Sequence, residues 1–134
     1  MSAPAPFKPA PLGAKVVLVV DDDPTIRTLV ATTLAQAYAV YVADSAQNAM
    51  QVLVQIPTPN LVVCDVAMPA VDGIAFAKQM RSMPAFAQTP IIFLTAKTGP
   101  MDVIAGINAG ARFYMTKPFN PQELVEKAKK AIGK

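Results

Sequence analysis

The chain has little of what most often announces chemistry: one cysteine and no histidine in 134 residues. A lone thiol excludes an intramolecular disulfide and a cysteine-built metal cage. Cys64 also sits inside an apolar run, where it reads as a small core residue. No apolar stretch approaches the ~20 residues that would span a bilayer. The N-terminus, rich in Pro and Ala, lacks the charged-then-apolar pattern of a secretory signal. A cytoplasmic location with no membrane partner is therefore expected. Missing too are the G-x-G-x-x-G and Walker glycines that cradle phosphates after a first strand, which disfavours a dinucleotide site. Charged residues are scarce at 16%, against 53% hydrophobic, a balance that suits an α/β core and makes each charge informative.

The charges that are present cluster. The run Val16-Val17-Leu18-Val19-Val20 stops at three consecutive acids, Asp21, Asp22 and Asp23, and Leu61-Val62-Val63-Cys64 stops at Asp65. Ile91-Ile92-Phe93-Leu94 ends on Thr95, and Phe113-Tyr114-Met115-Thr116 ends on Lys117, followed by Pro118. In a parallel sheet the functional groups gather at the carboxyl ends of the strands, so acid cluster, acid, hydroxyl and lysine should converge. Lys plus Arg number 12 against 9 Asp plus Glu. Lys127, Lys129, Lys130 and Lys134 crowd the last segment, where they complement the dipole of a helix C-terminus. No aromatic residues interleave with them, so no direct nucleic-acid contact is expected.

Periodicity and punctuation organise the rest into one domain. Residues 1–14, with Pro4, Pro6, Pro9 and Pro11, read as an extended or disordered tail before a folded domain at 15–134. A first helix over 24–36 places Ile26, Leu29, Val30, Thr33 and Leu34 on one face, with Asp23 as N-cap and Pro24 in the first turn. A strand over 38–43 precedes a helix capped by Ser45 and running to about residue 55. Asp72-Gly73 turns into a third helix that Pro84 stops, a fourth helix covers 100–108, and a fifth, 121–132, carries the stripe Leu124, Val125, Ala128, Ala131 and Ile132. Five strands alternating with five helices predict a parallel sheet covered on both faces through right-handed crossovers. The common small arrangement is the doubly wound, flavodoxin-like (βα)5 order 2-1-3-4-5.

If Asp21, Asp22, Asp65 and Lys117 meet, three carboxylates and one ammonium give a formal −2, and closely held carboxylates resist joint ionisation. A divalent cation would neutralise them with the oxygen ligands that Mg²⁺, or Mn²⁺, accepts. One carboxylate can then serve as nucleophile while the cation, Lys117 and Thr95 steady phosphoryl oxygens, most of what phosphoryl transfer asks of a protein.

These residues resemble a response-regulator receiver domain of two-component signalling, of the stand-alone chemotaxis type. The motifs stand in order as Val19-Val20-Asp21-Asp22-Asp23-Pro24, Asp65-Val66-Ala67-Met68-Pro69-Ala70-Val71-Asp72-Gly73, Leu94-Thr95-Ala96 and Tyr114-Met115-Thr116-Lys117-Pro118-Phe119, and the likeness covers 15–132. The resemblance implies that Asp65 accepts phosphate from a histidine kinase or phosphotransfer protein. It implies Mg²⁺ held by Asp22, Asp65 and the Ala67 carbonyl, with Asp21 acting through water. Thr95 and Lys117 would hold the phosphoryl group, the Lys117-Pro118 bond would be cis, and Thr95 with Tyr114 would form a switch. That switch would govern a target-binding face on the fourth helix, fifth strand and fifth helix, for which Met101, Ile104 and Lys127 are candidates. Such a protein catalyses its own phosphorylation and dephosphorylation rather than acting as a conventional enzyme. Ala67 without a polar side chain, Lys97 at the rim, and Phe113 where a polar residue is more usual depart from the pattern.

Two rivals use the same residues. Val19-Val20-Asp21-Asp22-Asp23-Pro24-Thr25 also fits the D-x-D-x-T pattern of haloacid-dehalogenase-like phosphatases, with Asp21 as nucleophile and Asp23 as acid/base. Those enzymes want a further acidic pair after the lysine motif, where only the helical Glu123 and Glu126 stand. The other rival is a receiver-like interaction module that no longer uses phosphate, against which five competent residue types argue. With no DNA-binding helices after Ile132, and no histidine phosphodonor, output is expected through protein contact or onward phosphoryl transfer.

Overall fold

The structure, a computed structural model, describes residues 4–133, so the first three tail residues and Lys134 lie outside the described residues. The element order is β1 (Val16–Val20), α1 (Pro24–Leu34), β2 (Ala39–Ala43), α2 (Ala46–Leu53), β3 (Leu61–Cys64), α3 (Gly73–Arg81), β4 (Ile91–Thr95), α4 (Pro100–Asn108), β5 (Ala111–Thr116) and α5 (Pro121–Ile132). All pairings are parallel and the strand order is β2-β1-β3-β4-β5, the doubly wound order expected. β1, β3 and β4 are buried throughout, because helices cover both faces. Val17 and Val19 join Val30, Ala31, Leu34, Leu124 and Ala128 on the α1/α5 side. Leu18 and Val20 point the other way, to Ala49, Leu53, Phe76, Ala77 and Met80 of α2 and α3. Alternation along a strand thus feeds two cores from one apolar run.

The caps fall where side-chain chemistry put them. Asp23 accepts from the N–H groups of Thr25 and Ile26, Ser45 from Asn48, Asp72 from Ala75, and Asn120 from Gln122 and Glu123. Helices α1 and α2 each stop two residues before their expected ends. The buried face of α1 is also rotated from the expected stripe. Val30, Ala31 and Leu34 are buried, whereas Leu29 is 46% exposed, because the small Ala31 lets the helix sit on its neighbouring flank. Pro84 does not merely stop α3; it opens a one-turn 3₁₀ segment, Pro84–Phe86. Arg81 clasps this region, donating to the carbonyls of Phe86, Ala87, Thr89 and Gly110.

Before β1 the proline-rich segment forms no helix or strand, yet it is anchored at one point. The Phe7 N–H donates to the Val40 carbonyl at 2.6 Å, and the Phe7 ring packs against the α1/α5-side core. Val40 belongs to β2, an edge of the sheet.

Candidate functional site

The parallel register brings the carboxyl ends of β1, β3, β4 and β5 to one rim. Val20 pairs with Cys64 and Cys64 with Phe93, so the residues that follow, Asp21, Asp65 and Leu94-Thr95, stand side by side. Asp21 and Asp65 are buried, with Asp22 exposed at the mouth, and one carboxylate oxygen from each lies within 4.8 Å of the others. Lys117, carried past the end of β5, places its Nζ 2.8 Å from Asp21 and 2.7 Å from Asp65. The Lys117-Pro118 bond is cis, and the Lys117 N–H donates to the Thr95 carbonyl at 2.9 Å, tying that turn to β4.

Local backbone holds each acid. Asp21 accepts the Asp23 N–H at 2.9 Å through its second oxygen, so both its oxygens are engaged, while Arg27 donates to the Asp21 carbonyl at 2.8 Å and braces the loop. Asp65 accepts the Ala67 N–H at 3.0 Å. Asp22 has no hydrogen-bond partner among the described residues, which leaves its carboxylate free. Helix α3 begins very close behind Asp65: a side chain at Gly73 would put its Cβ 2.2 Å from the Asp65 carbonyl oxygen, so only glycine permits this approach. The intervening Ala70 is a non-glycine residue at φ 66, a left-handed conformation that costs about 1 kcal/mol or more.

Burial raises the Asp21 carboxyl above the usual aspartate range, although Lys117 and the Asp23 amide pull it down. For Lys117 burial acts against the charge, but its bonds to Asp21 and Asp65 outweigh that and hold the ammonium above the ordinary lysine value. The three acids and Lys117 leave a formal −2 in a partly dried cleft. Hard oxygen donors in this number and spacing fit a divalent cation.

Thr95 is fully buried, and its hydroxyl oxygen accepts the Lys97 N–H at 3.3 Å. The Lys97 carbonyl in turn accepts the Tyr114 hydroxyl, so the backbone of one residue, Lys97, joins the two residues expected to form a switch. Tyr114 lies on the α4 side, edge-on to Phe93 with centroids 6.1 Å apart. Burial raises its phenol above the usual value, with Asp102 and Asp65 adding to the shift. Phe113 faces the opposite side, packed on the α1/α5 core with Arg112 and Lys127 each stacked near its ring, at 4.6 and 4.8 Å. The two neighbouring aromatics therefore serve different faces. Met101 and Ile104 on α4 are 78% and 53% exposed. Ala67 donates its N–H to Asp65, and among the described residues its carbonyl accepts no hydrogen bond. Sequence reasoning missed Arg27; its only signal is a cation one turn into the helix that follows the acid triplet.

Comparison with known proteins accords with this geometry. Residues 17–129 match the family described as "Response regulator receiver domain", and the chain belongs to that family. It is 34% identical over 119 residues to the chemotaxis protein CheY1 of Helicobacter pylori, covering 87% of this chain and 96% of that protein. It is 37% identical over 119 residues to the phosphate regulon transcriptional regulatory protein PhoB of Pseudomonas aeruginosa, covering 88% of this chain but 52% of that one. The chain thus spans about half the length of several curated relatives it matches. The crystal structure of Vibrio cholerae CheY4 superposes with a TM-score of 0.83 at 32% identity, covering 89% of this chain and 99% of that one. The general function of the family is to accept a phosphoryl group on aspartate from a kinase, and its members interact with histidine kinases or phosphotransfer proteins. Asp23, the acid/base of the dehalogenase-like reading, caps α1, one carboxylate oxygen accepting the N–H groups of Thr25 and Ile26.

Proposed function

We propose that this chain acts as a response-regulator receiver that takes its phosphoryl group on Asp65, with Mg²⁺ or Mn²⁺ required, and signals through the α4/β5/α5 face. The observation that carries this is the Lys117 ammonium held between the Asp21 and Asp65 carboxylates, with the unpartnered Asp22 alongside. An Asp65 oxygen attacks phosphorus, the phosphorus–nitrogen bond of the donor phosphohistidine breaks, and the imidazole leaves with the electron pair. Asp22, Asp65 and the Ala67 carbonyl are the groups that would hold the cation, and Asp21, already engaged through both oxygens, acts at one remove. When bound, the cation offsets the carboxylate charge and draws phosphoryl oxygens toward Asp65. Lys117 changes partner from carboxylate to phosphoryl oxygen, and Thr95 turns its hydroxyl from the Lys97 amide to the same group. Release of that amide is passed to Tyr114 through the Lys97 carbonyl, which favours one pose of the ring and hence one state of the face carrying Met101, Ile104 and Lys127. The likeness to the chemotaxis proteins CheY1 and CheY4 supports signalling through a protein-binding face, and a cytoplasmic location goes with it.

The test is intact mass after incubation with acetyl phosphate, with and without Mg²⁺, followed by borohydride trapping and peptide mapping. One Mg²⁺-dependent adduct on Asp65, absent from Asp65→Asn, is expected. A stable adduct on another aspartate of Asp65→Asn would sink the assignment.

A further inference from the structure

Helix α4 carries a glycine in its middle that its backbone does not require. Gly106 lies within Pro100–Asn108 and its φ is not among the positive ones, so alanine would suit the conformation better and would strengthen the helix. The space left by the missing side chain is filled. A Cβ at this position would stand 2.7 Å from both Cδ2 and Cε2 of Tyr114 and 3.2 Å from Cδ2 of Phe93. A phenol ring cannot bend away from such an overlap. It is also held elsewhere, edge-on by Phe93 and through its hydroxyl by the Lys97 carbonyl. The way to relieve a methyl group at 106 is for Tyr114 to rotate out from under α4 and give up that hydrogen bond.

We propose that Gly106 is the positioning residue of the Tyr114 switch: its bare backbone is the seat into which the ring folds against α4, and it sets the balance between the inward and outward poses. This rests on the reading of Tyr114 as the switch residue. The raised phenol pKa agrees with a ring withdrawn from water.

Gly106→Ala tests this. Tyr114 ring resonances, assigned by their loss in Tyr114→Phe, are followed by NMR through an alkaline titration and with a soluble paramagnetic relaxation agent. In Gly106→Ala the ring is expected to broaden more with the agent and to titrate at lower pH than in the unsubstituted protein. Unchanged accessibility and titration would overturn the seat. A thermal cycle guards against a merely structural effect: in a Tyr114→Ala background, Gly106→Ala should raise Tm by about 4 °C, whereas with Tyr114 present it should not. Equal shifts in both backgrounds would also overturn it. Acetyl phosphate labelling of the unsubstituted protein separates the two ideas: no adduct on Asp65 removes the phosphorylation reading and the switch with it, while an adduct with an unmoved ring removes the seat alone.

Discussion

Replacing Lys117 with methionine removes the one cation that two buried carboxylates share. The side chains of Lys117, Asp21 and Asp65 are 15%, 5% and 8% exposed, so water screens these contacts poorly. At an effective dielectric of 20, each contact near 2.8 Å carries about 6 kcal/mol of Coulomb attraction, most of it offset by drying the charges. Breaking such a pair leaves a net cost of about 3 kcal/mol, or a fall in Tm of about 10 °C. Urea denaturation at pH 7 in EDTA, then with Mg²⁺, would measure it. Much of the loss should return with Mg²⁺, since a bound cation replaces the missing charge and stabilises the native state by mass action. The pH dependence has a definite sign. The folded Lys117 pKa is raised above its ordinary 10.5, so its contribution is complete below that value and is lost as pH rises through the folded pKa. From neutral pH upward, the gap between the two proteins should therefore close only in strongly alkaline solution. Equal stability at pH 7 in EDTA, within 0.5 kcal/mol or so by the precision of extrapolation, would refute the claim that Lys117 neutralises the cleft.

Three further outcomes follow from the loops and the edge. Ala70→Gly should stabilise the protein by about 0.5–1 kcal/mol by relieving the left-handed strain at φ 66, measured as a higher denaturation midpoint. Gly73→Ala should cost more than 1 kcal/mol and slow acetyl phosphate labelling, because its Cβ would fall 2.2 Å from the Asp65 carbonyl oxygen. Phe7→Ala should lower stability by about 1 kcal/mol through lost burial, without altering Asp65 labelling.

The parts of the fold legible in the sequence are those set by local chemistry. Strands buried on both faces must be almost wholly apolar, so the acids that end them were conspicuous, and Asp23-Pro24 and Asp72-Gly73 marked helix starts by capping geometry alone. Asp21, Asp22 and Asp65 could be brought together on paper because parallel strands align their carboxyl ends. What stayed hidden depends on partners distant in the chain. Ala31 and Leu29 exchange roles because of how α1 lies on the sheet, and the backbone at Ala70 is twisted by closure of the loop onto α3. Phe7 finds Val40, and Arg81 finds Gly110, across separations that no periodicity spans. Likewise the hydroxyl of Thr95 is turned to its own loop, a choice of rotamer that spacing does not encode.

The contact between Phe7 and β2 bears on how the molecule behaves in a crowd. An outermost strand presents unpaired amides and carbonyls, and so invites a strand from a neighbouring molecule to zip onto it. Here an outward carbonyl of that strand is already taken, by a segment whose Pro4, Pro6, Pro9 and Pro11 have no amide hydrogen to offer the next chain. The guard occupies the border without becoming a new border itself, a barrier to edge-to-edge polymerisation built from residues that never join the sheet.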